Sequence, residues 1–158
     1  MRSATLTETL STPSVLGLDL RVPAQPTKAV VVRGALKVWL ARFGASEEQV
    51  FAILLAVSEA FANAVEHPRD PSSTTVDIAA RYDNGMVEVF VRDYGGWRQE
   101  PSDGHRSAGL LLMGAFMDSV KVHSDHRGTI VLLKERLQTP YERARVDKRA
   151  VAGAAETR

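Results

Sequence analysis

Ala56-Val57-Ser58-Glu59-Ala60-Phe61-Ala62-Asn63-Ala64-Val65-Glu66-His67 is the stretch on which the fold turns. At about 100° per residue, Glu59, Asn63 and His67 recur every fourth position and share one face of a helix. Val57 and Phe61 lie on a different stripe, which also takes in Val50, Ile53, Leu54, Ala64 and Val65. Ala52, Ala56, Ala60 and Ala62 surround the polar pair. The helix is thus apolar nearly all round, and such a helix is expected to be covered on both sides. Spacing alone makes Glu59 and Asn63 a solvated face. Their small neighbours make them half-covered polar groups that need partners. A cation is one such partner: Mg²⁺ prefers oxygen ligands, and an Asn carbonyl with phosphate oxygens and waters serves it. A nearby carboxylate can orient a water or accept a hydroxyl proton.

Upstream, Ser46 opens this helix with Gln49 three residues on, the spacing of a capping box, and Glu47 and Glu48 suit its positive end. Pro68 and Pro71 close it. A preceding helix carries Val32, Leu36, Trp39, Leu40 and Phe43 on one face, with Thr27 as expected N-cap and Gly44 as expected stop. Before it, Leu16, Leu18, Leu20 and Val22 alternate with Gly17, Asp19 and Arg21, the period of a half-buried strand.

Downstream, Val76, Ile78, Ala80 and Tyr82 alternate up to Asp83-Asn84-Gly85, a favoured hairpin turn, and Val87, Val89 and Val91 continue on the far side. The span Asp93 to Gly109 then holds Gly95, Gly96, Gly104 and Gly109 with few apolar residues, and a loop this long inside a domain is usually functional. Ala108 to Met117 predicts a short apolar helix, and Ser119 to Leu133 a last hairpin around Asp125-His126-Arg127-Gly128. The order β-α-α-β-β-loop-α-β-β predicts an α+β sandwich with helices on one sheet face. The expected organisation is an N-terminal arm over 1–14, one domain over 15–138 and a C-terminal tail over 139–158.

Composition narrows the function classes. The chain of 158 residues is 44% hydrophobic and 25% charged, as ordinary globular domains are. It has no cysteine, which excludes disulfides and thiolate metal sites and fits a cytoplasmic protein. A net charge of +1 argues against direct nucleic-acid binding. No apolar run approaches the roughly 18 residues of a membrane span, so no membrane partner is expected.

Two further segments carry chemistry. In Arg92-Asp93-Tyr94-Gly95-Gly96-Trp97 an Asp at a strand end can accept from an exocyclic amine, with glycines letting the backbone approach a flat ring. By itself the same segment equally describes a tight turn. From Gly104 to Gly109 a glycine-bearing loop with His105 and Arg106 runs into Leu110-Leu111-Leu112-Met113, and N–H groups at a helix start attract phosphate; a solvated loop fits that segment too. His123 and His126 flank Asp125 at a turn and are expected at the surface.

In this order the segments resemble the bacterial anti-sigma-factor serine kinases of the GHKL, or histidine kinase-like, ATPase superfamily. Glu59 with Asn63 and His67 looks like that family's N-box, Asp93-Tyr94-Gly95 like its first glycine box, Gly109-Leu110 like the second, and Gly128-Thr129 like the Thr-bearing turn near the base. The resemblance implies a two-layer α/β sandwich of the Bergerat type, with a mixed sheet covered on one face by helices. It implies ATP and Mg²⁺ as cofactors, Glu59 as general base on a substrate serine, and Asn63 as Mg²⁺ holder. His67, Asp93, Gly95, Arg106, Gly109, Leu110 and Thr129 join Asn63 as implied nucleotide contacts. The implied partners are a STAS-domain anti-anti-sigma protein, a sigma factor and a second copy of the chain. The chain departs from the pattern at Trp97, where the first box ordinarily has glycine, and at Ser107 and Ala108 before the second. These departures leave room for an alternative: a nucleotide-binding adaptor that holds a regulator without catalysis.

Overall fold

Strand alternation and helical stripes sort the apolar side chains onto two facing layers. The computed structural model describes residues 17–66, 74–95 and 104–138, the side chains of 104–108 excepted. Strand β1 is Leu18–Pro23, followed by a short 3-10 turn over Pro26–Lys28, helix α1 (Ala29–Ala41) and helix α2 (Glu47–Glu66). Strands β2 (Thr75–Asp83) and β3 (Met86–Asp93) come next, then helix α3 (Gly104–Phe116) and strands β4 (Ser119–Asp125) and β5 (Gly128–Arg136). The sheet order is β1-β2-β3-β5-β4. Val76, Ile78 and Ala80 of β2, Val87, Val89 and Val91 of β3, and Val131 and Leu133 of β5 form the buried face. Against them pack Val32, Leu36, Trp39 and Leu40 of α1, Ile53, Ala56, Val57, Ala60 and Phe61 of α2, and Met113 of α3. Each helix lays its stripe on the same face of the sheet, and α2 runs between α1 and α3, touching both.

The α+β sandwich expected from the sequence is the one observed, with one difference. Every strand pairing is antiparallel, where a mixed sheet was expected. The reason lies in the last hairpin. The short connection between Asp125 and Gly128 forces β4 and β5 antiparallel, and β5 rather than β4 sits beside β3, with Asp93 opposite Thr129. Strands β3 and β4 do run the same way, but β5 separates them.

Local expectations fared according to how local they were. At the β2–β3 turn Asn84 and Gly85 adopt φ of 47° and 82°, the left-handed pair of a tight hairpin. At the start of α2 the Gln49 N–H donates to Ser46 Oγ (3.2 Å) and the Ser46 N–H donates to Gln49 Oε1 (3.3 Å), a reciprocal capping box. Trp39 is buried and meets Phe43 edge-on, and Phe43 stacks on Tyr82. Two helix starts differ from expectation. Thr27 lies within the 3-10 turn and does not cap α1. Helix α3 begins at Gly104, four residues before Ala108; its first turn lacks the apolar stripe that marks the rest, which hid the start in the sequence.

By length and composition alone α2 is apolar enough to cross a bilayer, although charged and polar residues interrupt its apolar run. Its surroundings are those of a core helix: Ile53, Ala56, Val57, Ala60 and Phe61 are each at most 2% exposed among the sheet and the other helices.

Gln49 ties this helix to the end of β5. Its amide Nε2 donates to the Arg136 carbonyl (3.0 Å) from a residue only 8% exposed. Replacing it with Ala breaks the capping box and leaves that carbonyl short of a donor. Gln49→Ala is expected to lower unfolding free energy by about 1–3 kcal/mol, and Ser46→Ala by about 1 kcal/mol, both read from urea denaturation midpoints at constant slope.

Candidate functional site

The polar pair of α2 faces α3. Ala56 and Ala60 are pressed against the core at 1% exposure, while Glu59 and Asn63 are half-buried. A Cβ built on Gly109 would lie 3.6 Å from Glu59 Oε2 and 3.7 Å from Asn63 Nδ2. Gly109 therefore sets the α3 backbone directly over the pair. Because α3 starts at Gly104, the N–H groups left free at a helix start belong to its first turn. Gly109 sits further along, as the point of contact with Glu59 and Asn63 rather than the opening of the helix.

Beside this seam lies a cleft of about 590 Å³, counting its open mouth. Its floor follows from the register. Val91, Val131 and Val122 form one cross-strand row over β3, β5 and β4. Asp93, Thr129 and Ser124 form the next row in the same strands. The first row is apolar and the second polar. Ala60, Asn63 and Ala64 of α2 and Leu110 and Met113 of α3 supply the walls, and Gly95 continues the polar end. The result is an apolar slot with a carboxylate at one end and the Asn63 amide at its wall.

The polar row is internally bonded. The Thr129 N–H donates to Asp93 Oδ1 (3.3 Å), and the Thr129 and Ser124 hydroxyls share a bond of 2.8 Å. Burial pushes the Asp93 carboxyl up to about 6, opposed by the backbone N–H groups of Thr129 and Gly95, which favour the ionised form. Gly128 holds this corner closed: at φ 133°, a Cβ there would fall 2.0 Å from the Asp93 carbonyl oxygen and 2.8 Å from Tyr94 Cα. No residue but glycine fits so close an approach.

Of the residues singled out in the sequence, the fold brings Asn63, Asp93, Gly95, Leu110 and Thr129 around one cleft, and places Glu59 and Gly109 at the adjoining seam. His67 and Trp97 lie outside the described residues, as do the side chains of Arg106, Ser107 and Ala108. His123 and His126 are exposed, as expected. Sequence reasoning missed Ser124 and Val122; Met113, singled out only in the apolar run after Gly109, also walls the slot. Val91 and Val131 were visible only as strand residues; their place on the slot floor needs the register of β3 with β5.

The donors present suit particular ligands. Among the described residues no three His, Cys, Asp or Glu side chains converge, so a cation held by protein groups alone finds no cage here. One carboxylate and one amide at a cleft suit Mg²⁺, which keeps waters and takes phosphate oxygens for the remainder of its shell. The slot suits a flat base, with Asp93 placed to accept from an exocyclic amine.

Residues 22–134 match the family model described as the histidine kinase-like ATPase domain. The chain belongs to the histidine kinase-like ATPase domain family. Among its relatives, the serine-protein kinase RsbW of Bacillus velezensis is 29% identical over 138 residues, 77% of this chain and 86% of that one. The anti-sigma F factor of Heyndrickxia coagulans is 27% identical over 135 residues, 76% of this chain and 92% of that one. A Mycobacterium tuberculosis crystal structure of RsbU and RsbW domains superposes with a TM-score of 0.67 at 30% identity. It covers 82% of this chain, which spans about a third (34%) of that longer one. In this ATPase-domain setting the two-row slot and the α2–α3 seam are the features that the fold holds together.

The raised Asp93 has a consequence for stability. Its folded pKa, about 6, stands above the ordinary carboxylate value of 3.8, so the native state binds the proton more tightly than the unfolded chain. Stability contributed by this group therefore grows as pH falls from about 6 toward 4 and is absent above 6. Asp93→Asn keeps acceptors for the two backbone donors and removes the titration. The variant is expected to exceed wild type in unfolding free energy at pH 8 and to lose that advantage by pH 4.5, measured by urea denaturation across pH.

Proposed function

We propose that this chain is an ATP- and Mg²⁺-dependent protein serine kinase that phosphorylates a STAS-type anti-anti-sigma protein and also sequesters a sigma factor. The observation that carries the reading is the meeting of Glu59 and Asn63 with Gly109 beside a slot that ends in Asp93. Relatives named serine-protein kinase and anti-sigma F factor support the partner class. On this reading the acting domain spans 15–138, works in the cytoplasm and pairs with a second copy.

Each residue has a task in the proposed reaction. Asp93 accepts from the exocyclic amine of adenine, with Thr129 and Gly95 beside it. Ala60, Val91, Met113 and Val131 exclude water from the base. Asn63 would hold Mg²⁺, which when bound neutralises the phosphate charge. His67, Arg106 and Leu110 complete the nucleotide contacts. Glu59 takes the proton from the substrate serine hydroxyl as its oxygen forms the new bond to the γ-phosphorus. The bond to the β–γ bridging oxygen breaks, and ADP departs with that electron pair. Positioning and charge placement rather than covalent participation by the protein carry such transfers.

Two measurements test the reading. With labelled ATP and a candidate STAS protein, Glu59→Ala is expected to slow transfer by about 10²–10⁴-fold while ATP still raises the melting temperature. Undiminished transfer would remove Glu59 as base. ATP binding without any transfer favours the adaptor, whose motivation is Trp97, Ser107 and Ala108. No shift at millimolar ATP with Mg²⁺ would sink both. The second measurement is pH. The adenine amine needs an ionised Asp93, so binding expels the proton held at about 6. ATP affinity is expected to be flat above pH 7 and to fall by about tenfold per unit well below 6; calorimetric titration from pH 4.5 to 8 reads it, and Asp93→Asn flattens the profile.

A further inference from the structure

The uncovered sheet face touches the site through one residue. Tyr94 stands between Asp93 and Gly95, and alternation along the strand sends its side chain to the face opposite the cleft. There its hydroxyl donates to Asp77 Oδ2. Arg21 grips the same carboxylate with two bonds, Nε to Oδ1 at 2.6 Å and Nη2 to Oδ2 at 2.7 Å, and also donates to the Tyr94 hydroxyl at 3.3 Å. The guanidinium of Arg92 lies 4.7 Å from the Tyr94 ring centroid. Arg21, Asp77 and Arg92 occupy one cross-strand row over β1, β2 and β3. Two-bond guanidinium–carboxylate pairs fix orientation as well as energy. On the other flank, Gly128 of β5 presses against the Asp93 carbonyl and Tyr94 Cα. The backbone of Asp93 and Tyr94 is therefore held from β5 on one side and from β1 and β2 on the other.

We propose that Tyr94, Asp77 and Arg21 are positioning residues for nucleotide recognition, fixing the backbone from Asp93 to Gly95 so that the base meets a preformed edge. The inference rests on the nucleotide reading above. Its physical basis is ordering. A segment held rigid before binding loses little freedom when the ligand arrives, and a loosened one must be ordered at the expense of affinity. The three residues lie behind the sheet, away from the transferring phosphate, so their effect falls on binding rather than on the chemical step. A merely structural ion pair at a surface contributes little and would leave nucleotide affinity alone.

The test compares wild type, Tyr94→Phe, Asp77→Asn and the double variant for ATP Kd by calorimetry, KM and kcat for transfer, and urea stability. Tyr94→Phe removes one hydrogen bond to a charged group and is expected to raise Kd and KM about three- to tenfold, with kcat within about twofold. If the residues act as one network, the double variant is no weaker than the weaker single variant. Arg21→Gln, at a side chain 66% exposed, gives the same direction with little risk to folding. Kd unchanged in Tyr94→Phe and Arg21→Gln, or kcat lowered at constant KM, overturns the proposal. Wild type that binds ATP with variants that bind equally well overturns this inference alone; wild type that binds no ATP overturns the nucleotide reading and this inference with it.

Discussion

A helix that must be covered on three sides dictates where chemistry can sit in this chain. Helix α2 offers Ala56, Ala60 and Ala64 to the core, and such small side chains let the sheet approach closely. Larger residues there would push the helix outward and strain the packing around it. With the sheet on one side and α1 on another, α3 closes the third side and meets α2 at Gly109. The half-buried carboxylate and amide at that seam are the feature a packed helix does not need for stability. An apolar pair at Glu59 and Asn63 would satisfy the seam with no desolvation cost, so the polar choice points to a ligand rather than to folding.

The slot beside the seam shows the same conflict between burial and charge. Two backbone N–H groups favour an ionised Asp93, yet burial outweighs them and the carboxyl ends near 6. Neutral pH thus leaves a carboxylate that is short of donors in a partly apolar cleft. A flat ligand with one amine would both fill the slot and supply that donor. The apolar row of Val91, Val131 and Val122 gives the ring a surface, and the polar row of Asp93, Thr129 and Ser124 gives it a direction. Neither row alone would distinguish a base from any other planar group.

What was legible in the sequence was local. The α2 stripe, the Ser46–Gln49 box and the Asn84-Gly85 turn each depend on residues a few positions apart, and each formed as expected. Two helix starts, at Thr27 and at Gly104, failed locally, and the rest of what failed depends on separation in space. The position of β5 between β3 and β4 cannot be obtained from alternation, because every strand alternates alike. The early start of α3 at Gly104 was hidden by glycines and by a first turn without an apolar stripe. The slot floor required a register between β3 and β5, some 40 residues apart, with β4 beside β5, so Val122 and Ser124 gave no signal as site residues. Asp93 and Gly128 stood out through a resemblance and gained a physical reason only when β5 closed on the Asp93 carbonyl.

The segment Asp93-Tyr94-Gly95 joins the two faces of the sheet, and period-two geometry explains why a single tripeptide can do so. Its first residue points into the cleft, while its middle residue points to the ionic row on the far side. The ion pair of Arg81 with Asp19 has little leverage on the slot, since it holds only strand to strand. Arg21 and Asp77 differ because Tyr94 connects them to backbone that borders the slot. The edge strand β1 carries Arg21 without touching the cleft through any of the residues that line it. An edge strand ordinarily contributes pairing and little else. Here its charge reaches, through one carboxylate and one phenol, the residue beside the Asp93 carboxylate, so the outer row of the sheet and the inner slot form one mechanical unit.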